Sequence, residues 1–155
     1  MKDKFLKYQA QTTNNPIGLK VLKAEGSYIY DTNNKKYLDF VAGVSASNLG
    51  HKNNKIKEAV IDQIEKYWHV MVYGEFIQEP QLELSKNLRA LLPHELNGLY
   101  IVNSGTEANE AAIKLCKAYT ERTEIIAFNG AYHGSTNGSL SISSGEQRKQ
   151  SFKPL

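Results

Sequence analysis

Two short stretches of this 155-residue chain bring together residue types that do chemistry. The first, Asn103-Ser104-Gly105-Thr106, follows the apolar run Leu99-Tyr100-Ile101-Val102 and opens an Ala-rich helical pattern. A strand that turns through glycine into a helix aims free backbone N–H groups, hydroxyls and the positive end of the helix dipole at one point. That is how anion and phosphate sites are commonly built. On spacing alone the plainer account is a helix start, with Ser104 or Thr106 as the N-cap and Glu107 or Glu110 in the first turn. The second stretch, Ala131-Tyr132-His133-Gly134-Ser135-Thr136, follows another apolar run, Ile125-Ile126-Ala127-Phe128. An aromatic ring beside an imidazole can stack on a planar ligand whose phosphate sits in the first turn. The plainer alternative is a tyrosine packed on a sheet and a histidine holding a loop.

The elements that must position these residues can be read from apolar spacing. Residues 98–102 and 124–128 are expected as strands, and between them Ala108, Ala112, Leu115, Cys116 and Tyr119 recur on one helical face. Strand, helix and strand make one β-α-β unit with parallel strands, which puts both chemical loops at the carboxyl edge of the same sheet, facing one crevice. Upstream, the first 25 residues hold the polar run Gln11 to Pro16 and read as an arm. Tyr28-Ile29-Tyr30, a turn at Asp31-Thr32-Asn33-Asn34 and a second run from Lys36 to Val41 read as a β-hairpin. Amphipathic spacing predicts helices over 55–68 and over 80–92, the latter opened by Pro80 and stopped by Pro93. The Ser- and Gly-rich stretch 135–145 reads as loop with one short strand at 139–143.

Composition bounds the rest. With 41% hydrophobic and 23% charged residues the 17.4 kDa chain is an ordinary globular type, not a disordered, collagen-like or coiled-coil one. A net charge of +3 from 19 basic and 16 acidic residues, scattered along the chain, offers no nucleic-acid patch. A single cysteine, Cys116, excludes an intramolecular disulfide, suits a reducing compartment and is expected as a small core residue. No leader-like or membrane-length apolar run is present, so a cytoplasmic protein with no membrane partner is expected. His51, His69 and His94 lack metal-ligand spacing, and no metal site is expected. Tyr67, Trp68 and Tyr73 are expected in core or subunit packing, with lining of the substrate crevice as the lesser alternative.

Taken together, the two loops carry a resemblance. Ser104-Gly105-Thr106-Glu107-Ala108-Asn109-Glu110-Ala111-Ala112-Ile113-Lys114 followed by Ala131-Tyr132-His133-Gly134-Ser135-Thr136 resembles the class-III aminotransferases that use pyridoxal phosphate. Upstream, Gly26 to Asp31, Tyr37 to Phe40 and Gly50-His51 are similar to that family's N-terminal hairpin and the loop after it. The stretch 69–75 points toward its acetylornithine and ornithine aminotransferase branch. The resemblance runs from about Phe5 to Leu155.

The resemblance implies an α/β chain that forms the N-terminal part of a fold-type-I pyridoxal-phosphate transferase. Residues 1–75 would be the N-terminal arm, hairpin and helix of the small-domain and dimer-contact region, and 76–155 the beginning of the large cofactor-binding domain. It implies Ser104, Gly105 and Thr106 around the cofactor phosphate, Tyr132 stacked on its ring and His133 as a second wall. The parent would be a homodimer moving an amino group from an ω-amino donor to 2-oxoglutarate. At Ser135 the acetylornithine enzymes usually carry an arginine that binds a substrate carboxylate, so Ser135 is a weaker substrate candidate that could only hydrogen-bond. Asn53-Asn54 replaces the family's His-Pro, and Asn34 replaces its hairpin glycine. The Schiff-base lysine and the pyridinium acid lie downstream in the family, so no catalytic residue is assigned and the 155-residue chain alone is expected to be inactive. Two alternatives stay open: the same chemistry with 4-aminobutyrate or another ω-amino donor, and a non-catalytic module that binds a phosphate-bearing ligand or a partner subunit.

Overall fold

The computed structural model describes residues 2–71 and 73–155, so position 72 of the 69–75 likeness lies outside the described residues. The chain divides into two compact units, 1–76 and 77–155. In order the elements are α1 (Lys2–Tyr8), β1 (Val21–Glu25), β2 (Tyr28–Asp31), β3 (Lys36–Leu38), α2 (Ala42–Ser45), α3 (Asn54–Lys66), α4 (Glu79–Arg89), α5 (Gly105–Thr120), α6 (Asn137–Ser141), α7 (Glu146–Lys149) and a last 3-10 turn, Gln150–Phe152.

The first unit is built on an antiparallel sheet in the order β1-β2-β3. The expected hairpin is there, with Tyr28 opposite Leu38 and Tyr30 opposite Lys36. Its turn is organised by Asp31, whose carboxylate accepts the N–H groups of Asn33 (2.8 Å) and Lys35 (2.9 Å) and the Tyr37 hydroxyl (3.1 Å). Asn34 takes φ 60°, a conformation its short polar side chain tolerates, so the loss of a glycine there costs little. The arm expected over the first 25 residues contains α1 and a third strand instead. Val21-Leu22-Lys23-Ala24-Glu25 pairs with β2 through the two-residue turn Gly26-Ser27, Gly26 having φ 54°.

After β3 the chain is folded back by one carboxylate. Asp39 accepts the N–H groups of Val41 (3.1 Å) and Ala42 (2.9 Å), and its other oxygen lies 2.7 Å from His51 Nε2. The Ala42 N–H, and after it His51, hold this carboxyl below the usual range. Between them α2 is a left-handed turn: Ala42, Gly43, Val44 and Ser45 all have positive φ. Gly26 and His51 exchange both backbone hydrogen bonds, at 3.0 and 2.7 Å. The clasp needs glycine at position 50, where φ is 81° and a Cβ would sit 3.2 Å from the Gly26 carbonyl oxygen. Helix α3 falls where amphipathic spacing puts it, and Asn53 is its cap, accepting from Lys55 and Ile56 N–H at 3.1 and 3.4 Å. Helix capping is thus a physical role for the asparagine that stands in the His-Pro position.

In the second unit α4 begins with Pro80 in its first turn and stops at Arg89, short of position 92. Leu91 and Leu92 N–H bond back only three residues, the tightening common at helix ends. Three sequence expectations fail here. Residues 98–102 and 124–128 form no strands, because neither run is paired with a neighbouring backbone, and Ile126 stays 99% exposed. The parallel β-α-β ladder is therefore not formed among the described residues. Residues 139–143 are not a strand: α6 runs through Ser141, because Glu110 takes the Ser139 N–H and the Thr136 carbonyl takes that of Leu140. The apolar stripe of α5 is also uncovered, leaving Leu115 70% exposed and Cys116 exposed rather than in a core. In the first unit, Trp68 and Tyr73 are exposed and so are not packed in a core of this chain. What is buried centres on α6: Leu140, with the polar Ser139 and Ser143 beside it in sequence. No helix among the described residues is long and apolar enough to cross a membrane. No group of three or more His, Cys, Asp or Glu side chains among them could hold a metal.

Candidate functional site

The candidate site grows from the start of α5. Ser104 has extended backbone and caps the helix, its Oγ accepting the Glu107 N–H at 3.1 Å. Glu107 reaches back to accept the Asn103 N–H at 2.8 Å, so the two side chains form a reciprocal box across the helix start. The plain N-cap account is therefore correct for Ser104, yet it leaves the Ser104 hydroxyl hydrogen able to donate outward. Gly105 and Thr106 occupy the first two helical positions, whose N–H groups have no partner within the helix.

Gly105 is the informative residue. Its φ is not positive, and a Cβ built there would meet no heavy atom within 4 Å. Neither backbone geometry nor packing in this chain calls for glycine at that position. Room is left for an outside group to come close to the N–H groups and the positive end of a 16-residue helix.

The second stretch is held against this turn by the polar side of α5, not its apolar stripe. Asn109 Nδ2 donates to the His133 carbonyl at 2.7 Å. Glu110 accepts from the Thr136 hydroxyl and, at 3.0 Å, from the Ser139 N–H. Thr136 stands at the N-cap of α6 without capping it, and Glu110 does so from another helix. The Thr136 hydroxyl first, and the Ser139 N–H next, hold the Glu110 carboxyl below its ordinary range. Two glycines make the approach possible. At Gly134, with φ 135°, a Cβ would lie 2.9 Å from Thr106 Cβ, and at Gly138 one would lie 2.8 Å from the Glu110 carboxyl carbon. Ser143 completes the frame, its Oγ accepting the His133 N–H at 2.8 Å and donating to the Ser139 carbonyl at 2.8 Å.

Tyr132 rides on this framed loop with its side chain outward, 66% exposed. His133 Nε2 is buried with no hydrogen-bond partner among the described residues, an unmet polar atom next to it in sequence. Ser135 is exposed. The structure thus brings Thr106 and the 132–134 loop together through Gly134. A cleft of about 460 Å³ elsewhere on the unit, lined by Ile125, Phe128 and residues 141–146, includes neither Thr106 nor Tyr132. Asn109 and Glu110 escape a reading based on apolar spacing. The signal that finds them is that they follow Thr106 by three and four positions and so share its helix face.

A family model described as aminotransferase class-III matches residues 8–155. Among curated relatives, a [LysW]-aminoadipate semialdehyde/glutamate semialdehyde transaminase of Sulfurisphaera tokodaii is 37% identical over 139 residues, covering 89% of this chain and 35% of that protein. An acetylornithine aminotransferase of Archaeoglobus fulgidus is 37% identical over 133 residues, 86% of this chain and 34% of its own. Among solved structures, the adenosylmethionine-8-amino-7-oxononanoate aminotransferase of Methanocaldococcus jannaschii superposes with a TM-score of 0.90 at 29% identity, over 99% of this chain and 37% of that one. An (S)-enantioselective omega-transaminase from Thermomicrobium roseum gives 0.87, also at 29% identity, over 98% of this chain and 36% of its own. The chain thus spans about a third of the length of these curated relatives. The expected α/β, fold-type-I class holds even though the two central runs are unpaired. With residues 8–155 matched, this chain belongs to the class-III aminotransferases.

Proposed function

We propose that this chain supplies the phosphate-holding and ring-stacking part of a pyridoxal-phosphate-dependent aminotransferase, a cytoplasmic homodimer that passes an amino group from an ω-amino donor of the acetylornithine or ornithine type to 2-oxoglutarate. In this reading residues 1–75 serve dimer contact and residues 76–155 begin the cofactor domain. The observation that carries it is Gly105, a glycine with neither a backbone nor a packing reason at the start of a helix, beside a threonine touched by the Tyr132 loop.

Each residue then has a physical task. The Gly105 and Thr106 N–H groups and the Ser104 and Thr106 hydroxyls donate to a phosphate, with the α5 dipole adding attraction. Tyr132 presents a ring face that fixes the tilt of a planar heterocycle, and His133, next to it, serves as a second wall. Pyridoxal phosphate, when bound, supplies an electron-withdrawing ring that carries the amino group between substrates. Holding phosphate and ring at two fixed points removes rotational freedom before any bond is broken.

The test is equilibrium dialysis of pyridoxal 5′-phosphate against the chain and its Gly105→Ala and Tyr132→Ala variants. Gly105→Ala is expected to lose tenfold or more in affinity, because its new methyl occupies the phosphate's approach, while its melting temperature stays level or rises. Tyr132→Ala is expected to lose about 1–2 kcal/mol of binding. Equal affinity in all three proteins sinks the reading. A second reading changes only the donor. Ser135 has no guanidinium to clamp a substrate carboxylate, which favours 4-aminobutyrate or another ω-amino compound, and a donor panel run on the enzyme encoded by the full gene decides between them.

A further inference from the structure

Helix α5 faces the Tyr132 loop with two polar side chains that no phosphate or ring contact explains. Asn109 and Glu110 reach 24 and 29 residues along the chain to bond the His133 carbonyl and the Ser139 N–H. Glu110 also takes the Thr136 hydroxyl, which is thereby drawn away from capping its own helix. Thr106, Asn109 and Glu110 project from one side of α5, at i, i+3 and i+4. Thr106 of the phosphate turn and the residues that hold the loop are therefore fixed to a single rigid rod. At Gly138 a side chain would strike the Glu110 carboxylate, and at Gly134 one would strike Thr106 and the Ser139 hydroxyl.

We propose that Asn109 and Glu110 are positioning residues that lock the 131–139 loop to α5, and so set Tyr132 at a fixed distance from the Gly105–Thr106 turn. The inference rests on the reading of that turn as the phosphate seat and of Tyr132 as the ring platform. Without the lock, the phosphate seat survives, being built from the helix start and its Ser104–Glu107 box alone. Only the second point of attachment is lost. The lock thus separates ligands that bear a ring from those that bear only a phosphate.

Two readouts on the 155-residue chain test this. Amide hydrogen exchange without ligand is compared for the parent, Asn109→Ala, Glu110→Ala and Glu110→Gln. In Glu110→Ala, exchange at the His133 and Ser139 amides is expected to rise about tenfold or more, while amides within α5 stay unchanged; glutamine, which keeps an acceptor oxygen, restores most of the protection. Dialysis then gives the affinities for pyridoxal 5′-phosphate and for inorganic phosphate. In Glu110→Ala the first falls about tenfold while the second stays within about twofold. Unchanged exchange overturns the lock. A parallel fall for both ligands overturns its positioning role, as does a glutamine variant no better than alanine. A parent chain that binds neither ligand overturns the phosphate reading instead, and the exchange data still decide whether the lock exists.

Discussion

The two units keep their order by different means. In the first, a three-stranded ladder is reinforced by carboxylates that act close by in sequence: Asp31 bonds residues two, four and six positions away, and Asp39 bonds two N–H groups within three. Its side-chain tie from Asp39 to His51 spans 12 residues. In the second, the apolar runs 98–102 and 124–128 form no ladder, and single side chains on α5 reach 24 and 29 residues to hold a loop. A backbone ladder distributes its stability over many bonds, so one substitution removes little of it. A loop held by a few side chains, Asn109 and Glu110 from α5 and Ser143 from beyond α6, concentrates it, and the residues proposed as the ligand site stand on that concentrated part.

Changing one glycine in each unit breaks the comparison most directly. Gly134→Ala drives a methyl to 2.9 Å from Thr106 Cβ at φ 135°, where L residues are strained, and is expected to destabilise the second unit by about 3 kcal/mol while weakening pyridoxal 5′-phosphate binding. Gly26→Ala, at φ 54° with nothing within 4 Å, is expected to cost only about 1 kcal/mol. Thermal melts of both variants read the contrast, and equal shifts would erase it. Leu140→Ala removes the one large apolar side chain buried among the described residues and should cost about 2 kcal/mol in the same melts. In the first unit, Asn53→Ala strips the α3 cap for about 1 kcal/mol, seen as fraying by circular dichroism.

Acid is the mildest probe. Asp39 and Glu110 both titrate below ordinary carboxylates when folded, the first through the Ala42 N–H and His51, the second through the Thr136 hydroxyl and Ser139 N–H. The unfolded chain then binds the more protons as pH falls, so both contributions are complete above the unfolded range near about 4 and are lost as pH drops through the lower folded values. Carbon-detected carboxyl titrations should place both below that range, and a value at or above it for either one removes that tie.

Much of the first unit was legible because its signals are local. Asparagine in a tight turn, alternation in Tyr28-Ile29-Tyr30 and the apolar spacing before Trp68 each act within a few residues. Strand β1 was lost behind the polar run that precedes it, although Val21 to Glu25 before glycine carried the same kind of signal. In the second unit the motif residues Gly105, Thr106 and Tyr132 were legible, while their support was not. The expected stripe of Ala108, Ala112, Leu115 and Tyr119 is apolar but uncovered, whereas the half-buried side joins the polar Thr106, Asn109 and Glu110 to Ala111 and Ile113. Hydrophobic periodicity measures what a helix can bury in apolar surroundings and is blind to a face buried by hydrogen bonds. The same blindness produced the false strand at 139–143, where alternating serine serves backbone contacts inside a helical turn.

Gly105 has one more consequence, for how variants of this chain sort under selection. A library screened only for soluble, heat-resistant protein should drift toward alanine at position 105, since a helix gains from it and no neighbour objects. A library screened for ligand retention should keep glycine there and tolerate lower melting temperatures elsewhere. Running both screens in parallel would make the glycine at 105 a marker of what the chain is kept for, read without any assay of the reaction itself.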